Sequence, residues 1–139
     1  MFVKQLTIFV ENKFGRIADI LDTLGGENID IKALSIADTT DYGLMRMIVS
    51  DPYKARDLLV EAGVTVKITD AIAVPLSHTP GGLSKIMSLL KTEGISVRYL
   101  YAFVDGKESE ACVVMKTDKP EETVNVLARN DIKPLGFAF

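Results

Sequence analysis

Two short stretches hold the best-placed chemistry in this chain. Asn12-Lys13-Phe14-Gly15-Arg16-Ile17 and, sixty-six residues on from the Glu11 that precedes it, Ser77-His78-Thr79-Pro80-Gly81-Gly82-Leu83 each set glycine between a strand-like run and a helix-like one. Glycine lets a backbone approach a ligand closely, and a helix start offers unpaired N–H groups with a partial positive charge. A loop of this kind can hold a carboxylate. Equally, Gly15 and Gly81 can do no more than permit a tight turn, and the residues alone leave both readings open. Lys13 and Arg16 can attract an anion, or can be two solvated charges.

Other reactive side chains are sparse. His78 is the single histidine and Cys112 the single cysteine, and no spacing pairs them. No catalytic residue, metal site or cofactor is therefore expected, and Cys112 reads as a small buried hydrophobe. Asp38-Thr39-Thr40-Asp41 reads as a polar hairpin turn rather than a cation site. Met45, Met47, Met87 and Met115 lie in apolar runs and read as core. Tyr99, Tyr101 and Phe103 alternate along one strand face. Without basic residues between them they read as a buried inter-domain sheet face, not as a base-stacking platform.

The elements that must position the loops follow from the whole sequence. The 139 residues are 47% hydrophobic and 25% charged, with 16 basic against 19 acidic side chains and a net charge of −3. That balance argues against nucleic acid as a partner. No apolar run is long enough for a membrane span, and no leader pattern opens the chain. A soluble cytoplasmic protein is expected.

The pattern is duplicated. Ile17, Ile20, Leu21 and Leu24 form an amphipathic stripe, and Leu83, Ile86, Met87 and Leu90 form its counterpart. Each is followed by a strand-like run, Glu27-Asn28-Ile29-Asp30-Ile31 and Glu93-Gly94-Ile95-Ser96-Val97. Further on, Ser50-Asp51-Pro52 matches Thr117-Asp118-Lys119-Pro120, each offering a capping side chain and then proline at a helix start. The stripe Ala55, Leu58, Leu59, Ala62 matches Thr123, Val126, Leu127, Asn130. Short extended pieces at residues 64–68 and 132–139 close the copies, and Asp105-Gly106 suits a hairpin turn. The fold class expected is α+β: two tandem ferredoxin-like β-α-β-β-α-β domains with antiparallel sheets, residues 1–69 and 70–139.

At these residues the chain resembles a known family. Asn-x-Phe-Gly-Arg-Ile at residues 12–17 and Thr-Pro-Gly-Gly-Leu at 79–83 are similar to the Asn-x-Pro-Gly-x-Leu signature of ACT domains. Asn28-Ile29-Asp30-Ile31 and Gly94-Ile95-Ser96-Val97 are similar to their Gly-Ile-Asn-Ile segment. Phe14 replaces the usual proline, and His78 stands where asparagine is common. The resemblance implies a sensor of small molecules, often amino acids, with ligands at the seam between paired domains. It implies a site drawn from Asn12, Lys13, Phe14, Gly15, Arg16, Ile17, Asn28, Ile29 and Asp30 in the first copy. In the second, the matching residues are His78, Thr79, Pro80, Gly81, Gly82, Leu83, Gly94, Ile95 and Ser96. Backbone N–H groups of 14–17 and 80–83 would hold a carboxylate, and Asn12 or Asn28 would accept from an ammonium.

The leading expectation is a non-enzymatic regulatory protein that binds an amino acid, forms a homodimer and signals through a partner such as an amino-acid biosynthetic enzyme. Two alternatives stand beside it. One is a small ferredoxin-like enzyme acting on an acyl phosphate, with Gly15-Arg16 as anion cradle. The other is a structural module whose loops bind nothing.

Overall fold

A computed structural model describes residues 2–11, 13–38, 41–104 and 110–136. The chain runs β1 (Val3–Glu11), α1 (Arg16–Gly26), β2 (Ile31–Asp38), β3 (Tyr42–Val49), α2 (Pro52–Glu61), β4 (Thr65–Ser77), α3 (Gly82–Thr92), β5 (Val97–Val104), β6 (Glu110–Thr117) and α4 (Pro120–Arg129). Six strands and four helices repeat one β-α-β-β-α-β pattern, the α+β, ferredoxin-like class expected. Contacts divide the chain into two units: residues 4–70, and residues 71–136 with Phe2 and Val3.

In the first unit the strand order is β2-β3-β1-β4. Antiparallel ladders set Leu6 opposite Met47 and Ile8 opposite Met45, so these four share one face. That face packs under the stripes of α1 and α2, giving a core of Leu6, Ile8, Ile20, Leu24, Met45, Met47 and Leu59, all essentially inaccessible to water. The second unit repeats this with Ile72, Val74, Ile86, Leu90, Val113, Met115 and Leu127. Cys112 is buried in β6, as expected, and Tyr101 is buried in β5. Tyr99, Tyr101 and Phe103 stand opposite Lys116, Val114 and Cys112, which sets them on the face away from the core residues Val113 and Met115.

Four features depart from the sequence reading. β4 is one strand from Thr65 to Ser77, longer than the extended piece expected at residues 64–68. The closing strand of the second unit is reduced to a bridge of Leu135 to Ala73, with the Leu135 N–H donating to the Ala73 carbonyl at 2.7 Å. Asp51 caps α2 by accepting from the Lys54 N–H at 3.1 Å, but α4 has Lys119 at the cap and no side-chain bond there. Its neighbour Asp118 instead accepts from the Ser96 N–H at 2.9 Å, while the Asp118 N–H returns to the Ser96 carbonyl. In the first unit the Asp30 N–H donates to Ser50 Oγ and the Ser50 N–H to the Asp30 carbonyl, the same tie with a different acceptor. Finally, Gln5 is fully buried on the face away from the helices, where its amide donates to Thr7 and Thr69 hydroxyls at 3.2 and 3.3 Å. The Asp105-Gly106 turn and the Thr39-Thr40 tip lie outside the described residues.

Candidate functional site

Both glycine loops adopt the same conformation. Gly15 (φ 78°) and Gly81 (φ 85°) sit in the left-handed region at the caps of α1 and α3. That conformation is cheap for glycine and strained for a residue with a Cβ. Their carbonyls accept from the Asp19 and Lys85 N–H groups at 3.0 Å, starting each helix. Neither helix start has a side-chain cap; the Arg16 and Gly82 N–H groups donate to the Lys13 and Thr79 carbonyls at 3.2 and 3.1 Å, and the N–H groups that follow them in each first turn have no capping side chain. A Cβ at Gly15 or Gly81 would meet no protein atom within 4 Å, so both loops face open space.

The loops differ in their side chains. Phe14 is fully exposed and Ile17 is exposed by more than a third. Glu11 and Lys13 form an ion pair at 2.9 Å on the rim of the first loop. That ammonium, hydrogen-bonded to the carboxylate, holds the Glu11 carboxyl below its ordinary value. A lowered folded-state pKa gives a contribution present above the ordinary carboxyl pKa and lost as pH falls through the folded one; for so exposed a pair it is small. In the second loop His78, Thr79 and Pro80 are exposed, Leu83 packs against the core, and the Ser77 and Thr79 hydroxyls are bonded at 3.1 Å. Asn12 lies outside the described residues.

The second set of expected site residues stands elsewhere. Asn28 (φ 60°) and Gly94 (φ 68°) are the left-handed residues that end α1 and α3. The Ile29 and Ile95 N–H groups donate back to the Leu24 and Leu90 carbonyls at 3.0 Å, and both isoleucine side chains are buried in the cores. Asp30 and Ser96 are bound into the ties with Ser50 and Asp118. α1 has 11 residues, so about 16 Å of helix separates residues 14–17 from 28–30 within the unit. A molecule the size of an amino acid cannot touch both ends. Within one unit, Asn28 therefore does not share a small ligand with residues 14–17, and Gly94 does not share one with 80–83.

A cleft missed in the sequence lies at the first loop instead. It holds about 270 Å³ and is lined by the end of β1, by Arg16 at the start of α1, by Asp41 before β3 and Tyr42 at its start, and by residues 63–65 after α2. The Phe9 and Tyr42 rings meet there at 5.6 Å, tilted by 56°. Its counterpart in the second unit, about 310 Å³, is lined by apolar Pro75, Leu76, Ile86 and Leu89 and by polar Ser77 and Asn130, with Lys85 its one charge among the described residues. Arg16 and Gly82 occupy the same helix position in the two units. The sequence signal was a strand end, a helix start and the residues after a helix converging on one end of a β-α-β-β-α-β unit, which the topology alone brings together.

The profile of the ACT domain pair matches residues 1–136. The chain belongs to that family. Among solved structures, this ACT domain pair is similar to protein BT0572 from Bacteroides thetaiotaomicron, at 37% identity and a TM-score of 0.91, over 97% of this chain and 92% of that one. The ligand-free regulatory subunit of aspartate kinase from Thermus thermophilus is 13% identical, with a TM-score of 0.63 and 91% of each chain covered. The regulatory subunit of aspartate kinase from Thermus flavus is 14% identical, with a TM-score of 0.61, over 91% of this chain and 90% of that one. The two kinase subunits share the ACT-pair fold; at such identity the likeness is one of fold alone. No curated protein matches the chain. No helix among the described residues is long and apolar enough to cross a membrane.

Proposed function

We propose that this ACT domain pair is a non-catalytic regulatory protein of the cytoplasm that binds a free amino acid at its strand-to-helix loops. One observation carries the reading: each unit repeats a left-handed glycine before an uncapped helix start that faces open space. Such a start stabilises a carboxylate through N–H donors and the helix dipole. The matching test is calorimetric titration of the twenty common amino acids into the full chain. At least one should bind, and Gly15→Val or Gly81→Val should weaken it by at least tenfold, because a β-branched residue strains the left-handed backbone and crowds the approach. Circular dichroism must show both variants folded. No binding across the panel, or two folded variants with native affinity, overturns the reading.

The proposed output passes through a partner, an amino-acid biosynthetic enzyme being the class the family suggests, and through a second copy of the chain. The end strand β2 exposes Ile31, Leu34 and Ile36, each by more than a third, on a strand whose outer edge has no neighbour in its unit. Such an edge favours pairing. Sedimentation at micromolar concentration should give a dimer that Ile36→Lys dissociates. A native monomer refutes the assembly.

A further inference from the structure

The seam between the end of α3 and the side of α4 differs from its counterpart between α1 and α2 by a charge reversal. Glu27 and Glu93 stand at the C-caps of α1 and α3. Lys54 and Glu122 are each the third residue of their helix, since α2 starts at Pro52 and α4 at Pro120. In the first unit the Lys54 ammonium reaches the end of α1, donating to the Glu27 carbonyl at 3.2 Å, with the Glu27 carboxylate at 3.9 Å. The last carbonyls of a helix carry partial negative charge and lack partners within it, so a cation suits that place. In the second unit α4 sends no ammonium there. A cleft of about 300 Å³ stands instead, lined by Glu93, Glu122, Asn125, Val126 and Arg129. The Arg129 guanidinium stays 4.0 Å from the Glu93 carboxylate, beyond hydrogen-bond distance. Among the described residues Glu122 has no cation within ion-pair distance. Two carboxylates against one guanidinium leave the cleft a positive charge short.

We propose that this cleft seats a primary alkylammonium group supplied from outside the chain, in the position that Lys54 fills in the first unit. Glu93 and Glu122 balance its charge, and the Glu93 carbonyl and Asn125 amide oxygens accept from its N–H donors. Val126 is the one apolar wall residue, so only a short stem is covered. A free alkylamine and a lysine side chain of another protein offer the same group on the same stem. The seat lies at the opposite end of α3 from Gly81, so it stands whether or not the glycine loops bind.

The test titrates n-butylammonium and Nα-acetyl-lysine methylamide into the full chain, followed by NMR at the Asn125 side-chain amide and the Gly94 N–H. Saturable shifts are expected with at least one, and the tighter of the two names the source. Tetramethylammonium, which keeps the charge and has no N–H donor, should bind about fivefold more weakly. Glu122→Lys sets an ammonium on α4 as Lys54 does on α2, and should abolish the response. Glu121→Lys makes the same charge change one residue outside the cleft, and should cost no more than about twofold. Lys54→Glu should do the converse and add a second site, read at the Asn28 N–H. Circular dichroism must show each variant folded. Glu122→Gln removes the charge at nearly constant size, stands in where the lysine variant does not fold, and should weaken binding about threefold. No saturable shift with either amine overturns the proposal, as do equal losses in Glu121→Lys and Glu122→Lys, native affinity in Glu122→Gln, or a Lys54→Glu chain with a single site. Glu122 would then serve only the start of α4, which has no side-chain cap.

Discussion

Gly82→Ala is expected to destabilise the second unit by about 3 kcal/mol, far more than alanine at Gly25, Gly26 or Gly43. The cause is local. The first residue of α3 lies so close to the end of β4 that a Cβ meets the Ser77 carbonyl oxygen, a backbone atom that cannot swing aside. Either the helix start or the strand end must shift, and Leu76, which packs against the second core, shifts with it. Gly26→Ala is the control. That position lies at the end of α1 with nothing within 4 Å of the added carbon, so alanine should be neutral or slightly stabilising. Denaturant midpoints followed by circular dichroism decide the matter, and a Gly82→Ala protein as stable as the native one would show that the strand end yields freely.

Leu24→Ala and Leu90→Ala should each cost about 3 kcal/mol, since each removes a fully buried side chain from the centre of its own core. These leucines hold equivalent places on α1 and α3, and the carbonyl of each accepts the N–H that closes its helix. Amide exchange read by mass spectrometry should therefore quicken within residues 4–70 for Leu24→Ala and within 71–136 for Leu90→Ala. Equal quickening throughout the chain in either variant would contradict two separate cores.

The repeat was legible because both helices expose it through spacing that only an amphipathic helix needs: Ile20 and Leu24, then Ile86 and Leu90. The face that β1 turns to the helices was legible for the same reason, from the alternation of Leu6, Ile8 and Val10. What covers the opposite face was not, so the burial of Gln5 against Thr7 and Thr69 came only with the structure. The cap at Asp118 was misjudged because an aspartate before a proline can serve either a helix or a neighbouring strand, and Ser96 decides which. The glycine loops were found from Gly15 and Gly81, whose left-handed geometry needs that residue. The cleft was not, because Phe9, Arg16, Asp41 and residues 63–65 are brought together by topology rather than by spacing. Within one unit the length of α1 keeps Asn28 away from the loop: a motif that flanks a helix on both sides reads as one segment and folds as two distant ends.

The ties that hold β2 and β5 to the ends of β3 and β6 also bear on how such a duplicated gene can change. In the first unit a hydroxyl at Ser50 accepts beside an exposed Asp30; in the second a carboxylate at Asp118 accepts beside Ser96. Copying the later half of the second repeat over the first would set an aspartate at position 50 against Asp30, two like charges at one corner. Copying in the other direction would set serine beside serine, a harmless pair. Recombination between the repeats is therefore tolerated one way and opposed the other, and the two halves are free to drift apart in sequence while keeping a common backbone.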